Sequence, residues 1–400
     1  MKIKNMMSLA AALAFMVAFG ENAMETALKP WVDSGELPGA ISILYNNGTE
    51  EVTCVGYADV ATKRPITVND AFMQCSQTKG FCGVTIAKLV EEGKISLDDP
   101  VSKYLPEFRT LWVVSDNTNG TKTLTKAKNV LTVRMVMNHT GGFPFELPAK
   151  DRSIPGGGWS GGMPLRSVAA TAASMPILFE PGTKSCYSNT GIDIGAAIVE
   201  KVTGMKWEVY LKKTVLDPLG MANTTCWPTE EMLKTMVESY HCAKGKPAKY
   251  MFQHGWQQRP YNDSHVFASA GAGLWTTAAD QLKFYKMLMN LGVGDNGVRI
   301  LKEETVKSIL ALGTRPAKLG GYSLGLTAPV KDDENAWFGH GGAWGTNCMV
   351  NWHKKQLKLW VVQLEGGPRP WEKARDKAAD QFFKQKIDNS SINEYTGRTK

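Results

Sequence analysis

Ser76-Gln77-Thr78-Lys79 is the only place in the chain where a serine precedes a lysine by three residues. At a helix start, residues three apart share a face, so hydroxyl and ammonium can meet. A helix N-terminus and burial both disfavour positive charge, which lowers a lysine pKa. A lysine so perturbed can accept the serine proton and turn the hydroxyl into a nucleophile. The Ser76 N–H points outward at such a helix start, as an oxyanion donor must.

Tyr187-Ser188-Asn189 adds a phenol and an amide. A phenol beside a cationic lysine is expected to have its pKa pulled down, which makes Tyr187 a second proton carrier. Asn189 can hold a substrate carbonyl or orient Lys79. His340-Gly341-Gly342 reads as the opening of a strand, where glycines allow backbone and substrate to approach closely. The N–H of Ala343 follows as a second oxyanion donor. Two stretches repeat these patterns and are set aside. Tyr45-Asn46-Asn47 sits in a hairpin turn ahead of the serine, and His139-Thr140-Gly141 falls between the Ser and Tyr motifs.

The order Ser-x-x-Lys, Tyr-x-Asn, His-Gly-Gly resembles the class C β-lactamase and DD-peptidase family. Further stretches carry the likeness: Leu89 to Val101, Pro181-Gly182-Thr183, Asp217 to Met221 and Thr277-Ala278-Ala279-Asp280, spanning roughly residues 30 to 385. The resemblance implies an α/β fold with an antiparallel sheet, a helical region, and the active site between them. It implies Ser76 as the acylated nucleophile, Lys79 and Tyr187 as proton carriers, and the Ser76 and Ala343 N–H groups as the oxyanion hole. Asn189, His340, Gly341 and Gly342 become substrate-binding positions, with no metal and no cofactor. One position departs from the β-lactamase pattern: His340 stands where those enzymes carry the lysine of Lys-Thr-Gly. A lysine is charged at neutral pH and suits a substrate carboxylate. A histidine is charged only below about 6.5 if unperturbed. This histidine is similar to that of family peptidases, D-aminopeptidases and carboxylesterases. It points to ester or amide hydrolysis with weak β-lactam turnover. The alternative is a penicillin-binding sensor that acylates without turnover.

Two other serines compete. Gly158-Trp159-Ser160-Gly161-Gly162 fits the elbow of α/β-hydrolases, which needs a strand before it and a helix directly after. Here Pro155 precedes and Pro164 follows. Ser115-Asp116-Asn117 spells another β-lactamase motif but opens the polar run Asp116 to Gly120, which reads as an exposed turn.

These residues must be positioned by elements. Ala40 to Tyr45, the turn signal Asn47-Gly48 and Glu51 to Tyr57 predict a hairpin. Strand patterns recur at Tyr322 to Thr327, Asn347 to Trp352 and Leu357 to Leu364. An amphipathic helix is predicted from Trp371 to Lys386. Helical patterns fill the middle at Ser76 to Glu92, Leu131 to Met137, Ser167 to Ser174, Ile192 to Val202, Trp207 to Lys213 and Ala278 to Asn290. Asp116 to Lys128 and Pro155 to Gly162 read as loops. A sheet built from both ends (about 30–75 and 295–388) with a helical region inserted (about 76–294) is the economical arrangement.

Composition fits a folded domain, 43% hydrophobic and 21% charged over 400 residues. Lys2, Lys4, the apolar run Met6 to Phe19 and the small Ala18 and Gly20 read as a signal peptide, residues 1–20. The hydrolase domain then runs over 21–388, with a disordered tail at 389–400. An exported protein, periplasmic or secreted, follows, without a membrane span after signal removal. Removing Lys2 and Lys4 takes the formal charge from +8 to +6. The remaining basic residues are scattered, which gives nucleic-acid binding no support. The partner expected is a small-molecule or peptide substrate, and the sequence leaves the oligomeric state open. Seven cysteines carry no metal-type spacing. Cys226 and Cys242 are expected to form a disulfide in an oxidising compartment.

Overall fold

The computed structural model describes residues 22–118, 121–147, 163–243, 246–249 and 266–384. The signal-like segment, the Ser160 elbow and the polar tail lie outside the described residues.

The chain opens with α1 (Ala23–Asp33), then the hairpin β1 (Gly39–Asn46) and β2 (Thr49–Asp59), with short β3 (Arg64–Pro65) and β4 (Phe72–Met73). α2 (Thr78–Glu91) follows, then β5 (Trp112–Thr118), β6 (Thr121–Lys126), α3 (Val133–Met137), α4 (Leu165–Ser174), α5 (Asn189–Thr203), α6 (Trp207–Leu211) and α7 (Glu230–Lys234). β7 (Tyr240–Ala243), β8 (Lys246–Lys249), β9 (Trp275–Thr276), α8 (Ala278–Met289) and α9 (Glu303–Thr305) lead back to the sheet. There β10 (Phe338–Gly341), β11 (Asn347–Asn351), β12 (Gln356–Val361), β13 (Leu364–Gly366) and α10 (Glu372–Lys384) end the described chain.

The main sheet runs β10-β11-β12-β1-β2-β3 and is antiparallel throughout, so its centre joins the two ends of the chain. Ile41 lies opposite Val361 and Ile43 opposite Leu359. β1 is buried along almost its whole length because both sheet faces are covered. Ile41 and Ile43 face the large core shared with α2, α5 and α8, whereas Ala40 and Leu44 face a second core under α1 and α10. A strand covered on both faces reads as a continuous apolar run rather than an alternating one.

Three expectations need correction. The stretch from Asp116 to Lys128 was expected to be a loop, yet most of it belongs to the β5–β6 hairpin, with Asn117 opposite Lys122. Every residue of β6 is exposed, so no hydrophobic alternation marks it. Tyr322 and Thr327 pair through a single bridge rather than within a strand. Cys226 and Cys242 are not bonded: both thiols are free. Cys226 packs in the large core and Cys242 in the core under α1 and α10, where its thiol donates to the Pro368 carbonyl at 3.7 Å. The hairpin partner of Cys242 is Pro247.

Candidate active site

The serine sits in a single 3₁₀ turn, Cys75–Gln77, that runs directly into α2. Cys75 enters that turn with φ at +49°, a left-handed conformation unusual for a residue with a side chain. Pairing of Phe72 with Thr276 and of Met73 with Trp275 brings the 269–276 segment alongside. Lys79 follows one turn after Ser76 and is 0% exposed. Its Nζ donates to Ser76 Oγ at 3.1 Å, to Asn189 Oδ1 at 2.5 Å and to the Gly271 carbonyl at 2.7 Å. Burial pulls its pKa down from 10.5 to about 7, opposed by the carboxyls of Asp193 and Glu146.

The Tyr-Ser-Asn motif is a helix start. Ser188 caps α5, its Oγ accepting from the Gly191 N–H at 2.9 Å and donating to the Pro144 carbonyl at 2.7 Å. The cap leaves Tyr187 just outside the helix and puts Asn189 at its first position. Asn189 spends Oδ1 on Lys79 and donates through Nδ2 to Glu146 at 3.4 Å. Of the two tasks open to it, orienting Lys79 is the one this geometry fits.

Tyr187 differs from expectation. The residue as a whole is 39% exposed, but its phenol is enclosed, and burial raises its pKa well above the ordinary value against a lowering by the Ser76 hydroxyl. The Lys79 ammonium lies over the ring face, 4.6 Å from its centroid. Tyr187 is therefore still a protonated phenol, a proton donor, at the near-neutral pH where Lys79 loses its proton.

His340 differs as well. Its Nδ1 meets the Gly341 carbonyl at 2.5 Å, and since a carbonyl only accepts, Nδ1 carries the hydrogen. Nε2 then accepts from Tyr322 Oη at 2.9 Å, with Tyr187 Oη at 3.5 Å. Burial, helped by the Lys79 charge, pushes its pKa down to about 3. The side chain expected to gain charge in mild acid stays neutral there.

Gly342 has a clear steric reason: a Cβ there would stand 2.4 Å from the Gln74 carbonyl oxygen. The glycine lets the end of β10 close on the segment carrying Ser76, whereas a Cβ on Gly341 would make only ordinary contacts. Ala343 comes next, and the residue before Ser76, Cys75, is buried. The structure thus gathers Ser76, Lys79, Tyr187, Asn189, His340 and the Gly342–Ala343 turn in one place. Ser115 lies on β5, outside this group.

Three participants escape the sequence reading. His139, set aside as a chance repeat, lies with its ring centroid 4.5 Å from that of Tyr187 and 4.4 Å from that of Tyr322. Tyr322 supplies the hydroxyl that fixes His340. Asp193, one turn beyond Asn189 on α5, is buried and holds the Gly271 backbone. Its signal was legible, an acid four residues after Asn189 within an apolar helical run. Among the described residues no His, Cys, Asp and Glu cluster could hold a metal ion.

The chain is similar in sequence and in fold to known proteins. A putative D-alanyl-D-alanine carboxypeptidase of Escherichia coli is 27% identical over 315 residues, covering 73% of this chain and 69% of its own. A lovastatin esterase of Penicillium rubens is 24% identical over 363 residues, covering 82% and 88%. Simvastatin synthase from Aspergillus terreus superposes with a TM-score of 0.72 at 20% identity, covering 91% of this chain and 98% of its own. Its fold, a mixed α/β arrangement of antiparallel sheet and helices, is the one described above. The model of one family, Beta-lactamase, matches residues 22–381, which takes in every element from α1 into α10. The chain belongs to the Beta-lactamase family, whose relatives are serine hydrolases and acyltransferases.

Proposed function

We propose that the protein is an exported serine hydrolase that forms an acyl-enzyme on Ser76. Its substrates in this reading are esters or amides, as for a carboxylesterase or a D-peptidase-like enzyme, with no charged side chain at position 340 to hold a carboxylate beside the scissile bond. β-Lactams are then poor substrates. The observation that carries the reading is Lys79: fully buried, 3.1 Å from Ser76 Oγ, with its pKa brought to about 7. About half of such a lysine is neutral at pH 7 and can act as a base.

In the reaction, neutral Lys79 takes the Ser76 proton as Oγ attacks the acyl carbon, the Ser76–Lys79 contact reversing its direction of donation. The oxyanion is received by the Ser76 and Ala343 N–H groups. Tyr187, kept protonated by burial, gives its proton to the leaving group and is reloaded from Lys79. Water then enters, and the same groups release the acid. His340 offers no charge to a substrate carboxylate, and the esterase and carboxypeptidase names of relatives agree with acyl transfer in general.

A fluorophosphonate should label the protein on Ser76, and Ser76→Ala should abolish labelling. A panel of p-nitrophenyl esters, nitrocefin and D-Ala-D-Ala peptides then ranks substrates. Labelling that survives in Ser76→Ala would end the proposal. Acylation by a penicillin without release of any product would favour a sensor instead.

A further inference from the structure

Lys79 is held by the Gly271 carbonyl, and the Gly271 backbone is itself held. Asp193 Oδ1 accepts from the Gly271 N–H at 3.0 Å and from Ser269 Oγ at 3.3 Å, all three residues lying on the hidden side of the site. Asn189 and Asp193 stand one turn apart on α5, so they share a face. A Cβ on Gly271 would fall 2.8 Å from Asn189 Cβ. The 269–271 segment is therefore pressed against that face, its N–H on Asp193 and its carbonyl on Lys79.

We propose that Asp193 is a positioning residue for acyl transfer: it anchors the segment whose Gly271 carbonyl orients Lys79, and it places a buried carboxyl within Coulombic reach of that ammonium. The inference rests on the acyl-transfer reading above. The groups acting on Asp193 are few. Lys79 and the Cys82 thiol reach it from α2, the Cys226 thiol from the segment before α7, and Ser269, Ala270 and Gly271 from the facing segment. Burial pushes both thiols up, so they stay neutral and Lys79 is the cation it meets. Burial raises Asp193 itself to about 7, against the pull of those hydrogen bonds and of Lys79. The two groups thus titrate as a pair, and removing the acid must move the base.

The test is the rate of fluorophosphonate labelling of the full-length protein from about pH 5 to about pH 9. Asp193→Asn is nearly isosteric and keeps an oxygen for the Gly271 N–H while losing the charge. Its rise of labelling with pH should shift to lower pH by about half a unit or more. Asp193→Ala loses the acceptor too and should label about tenfold more slowly than Asp193→Asn at the plateau. A midpoint that does not move in Asp193→Asn overturns the proposal, whatever the plateau rates, because a mere structural clamp would leave it in place. Wild-type protein that fails to label at Ser76 defeats the acyl-transfer reading instead, so the two failures are distinguishable.

Discussion

An ammonium enclosed like that of Lys79 loses hydration that its three acceptors replace only in part, so its charge is costly and its proton is easily given up. A base works when neutral, so kcat/KM for a neutral ester should rise with pH through about 7 and level off above it. A rise that continued toward pH 10, the range of an ordinary lysine, would deny Lys79 this role. Tyr187→Phe removes the proton donor and should cost about 100- to 10,000-fold in turnover. Near-normal activity would remove Tyr187 from the mechanism. His340 is neutral well into acid, so the ratio of nitrocefin to neutral-ester kcat/KM should stay flat between about pH 5.5 and about pH 8. His340→Lys should raise that ratio by about tenfold if about 1.4 kcal/mol of carboxylate binding is gained. A wild type that prefers nitrocefin to every neutral ester contradicts this. Ser76, Lys79, Tyr187 and His340 could be picked out in the sequence because two short-range spacings and one order along the chain bring them forward. Their proton states could not, because the burial that decides those comes from residues as distant as Tyr322 and Gly271.

Elements were legible where local chemistry agrees with packing. Asn47-Gly48 turns β1 into β2, with Asn47 at φ +44° and Gly48 at +104°. α2 and α5 carry long apolar runs that the core then buries. The β5–β6 hairpin was hidden because every residue of β6 is exposed, so no buried face there declares a period of two. α1 escaped although Asn22 caps it and Met24 and Leu28 form its buried stripe. The closeness of β10 to the serine turn gives a prediction at this scale. Gly342→Ala forces a methyl against the Gln74 carbonyl, so the end of β10 must back away from Ser76. Labelling of Ser76 should fall about tenfold or more, since a misplacement near 1 Å can cost more than that. Unchanged labelling would mean that the turn tolerates the displacement.

The molecule as a whole is stitched through its middle by residues far apart in the chain. Gln356 Nε2 donates to Asn46 Oδ1 at 3.1 Å across 310 positions of sequence. α1 and α10, from opposite ends, pack together over the same sheet face. That face explains why strand patterns at both termini could be assigned to one sheet from sequence, while of the two helices covering its outer side only α10 was legible. If residues 1–20 direct export as proposed, the mature chain recovered from a periplasmic or culture fraction should begin at about residue 21. An N-terminal peptide that retains the basic start would argue for an uncleaved anchor.

The join between β1 and β12 also sets an order of events during synthesis. A ribosome releases the chain from the N-terminus, and β1 and β2 emerge hundreds of residues before β12 exists. As they emerge, β1 has one open edge, and of its two buried faces only the one under α1 has a partner. Contacts of such long range must be paid for in loop closure before they return any stability, which slows folding. The nascent chain therefore stays unfinished until β12 has emerged, open to chaperones and proteases, and a deletion that removes β12 and α10 should leave no folded remnant for a protease to spare.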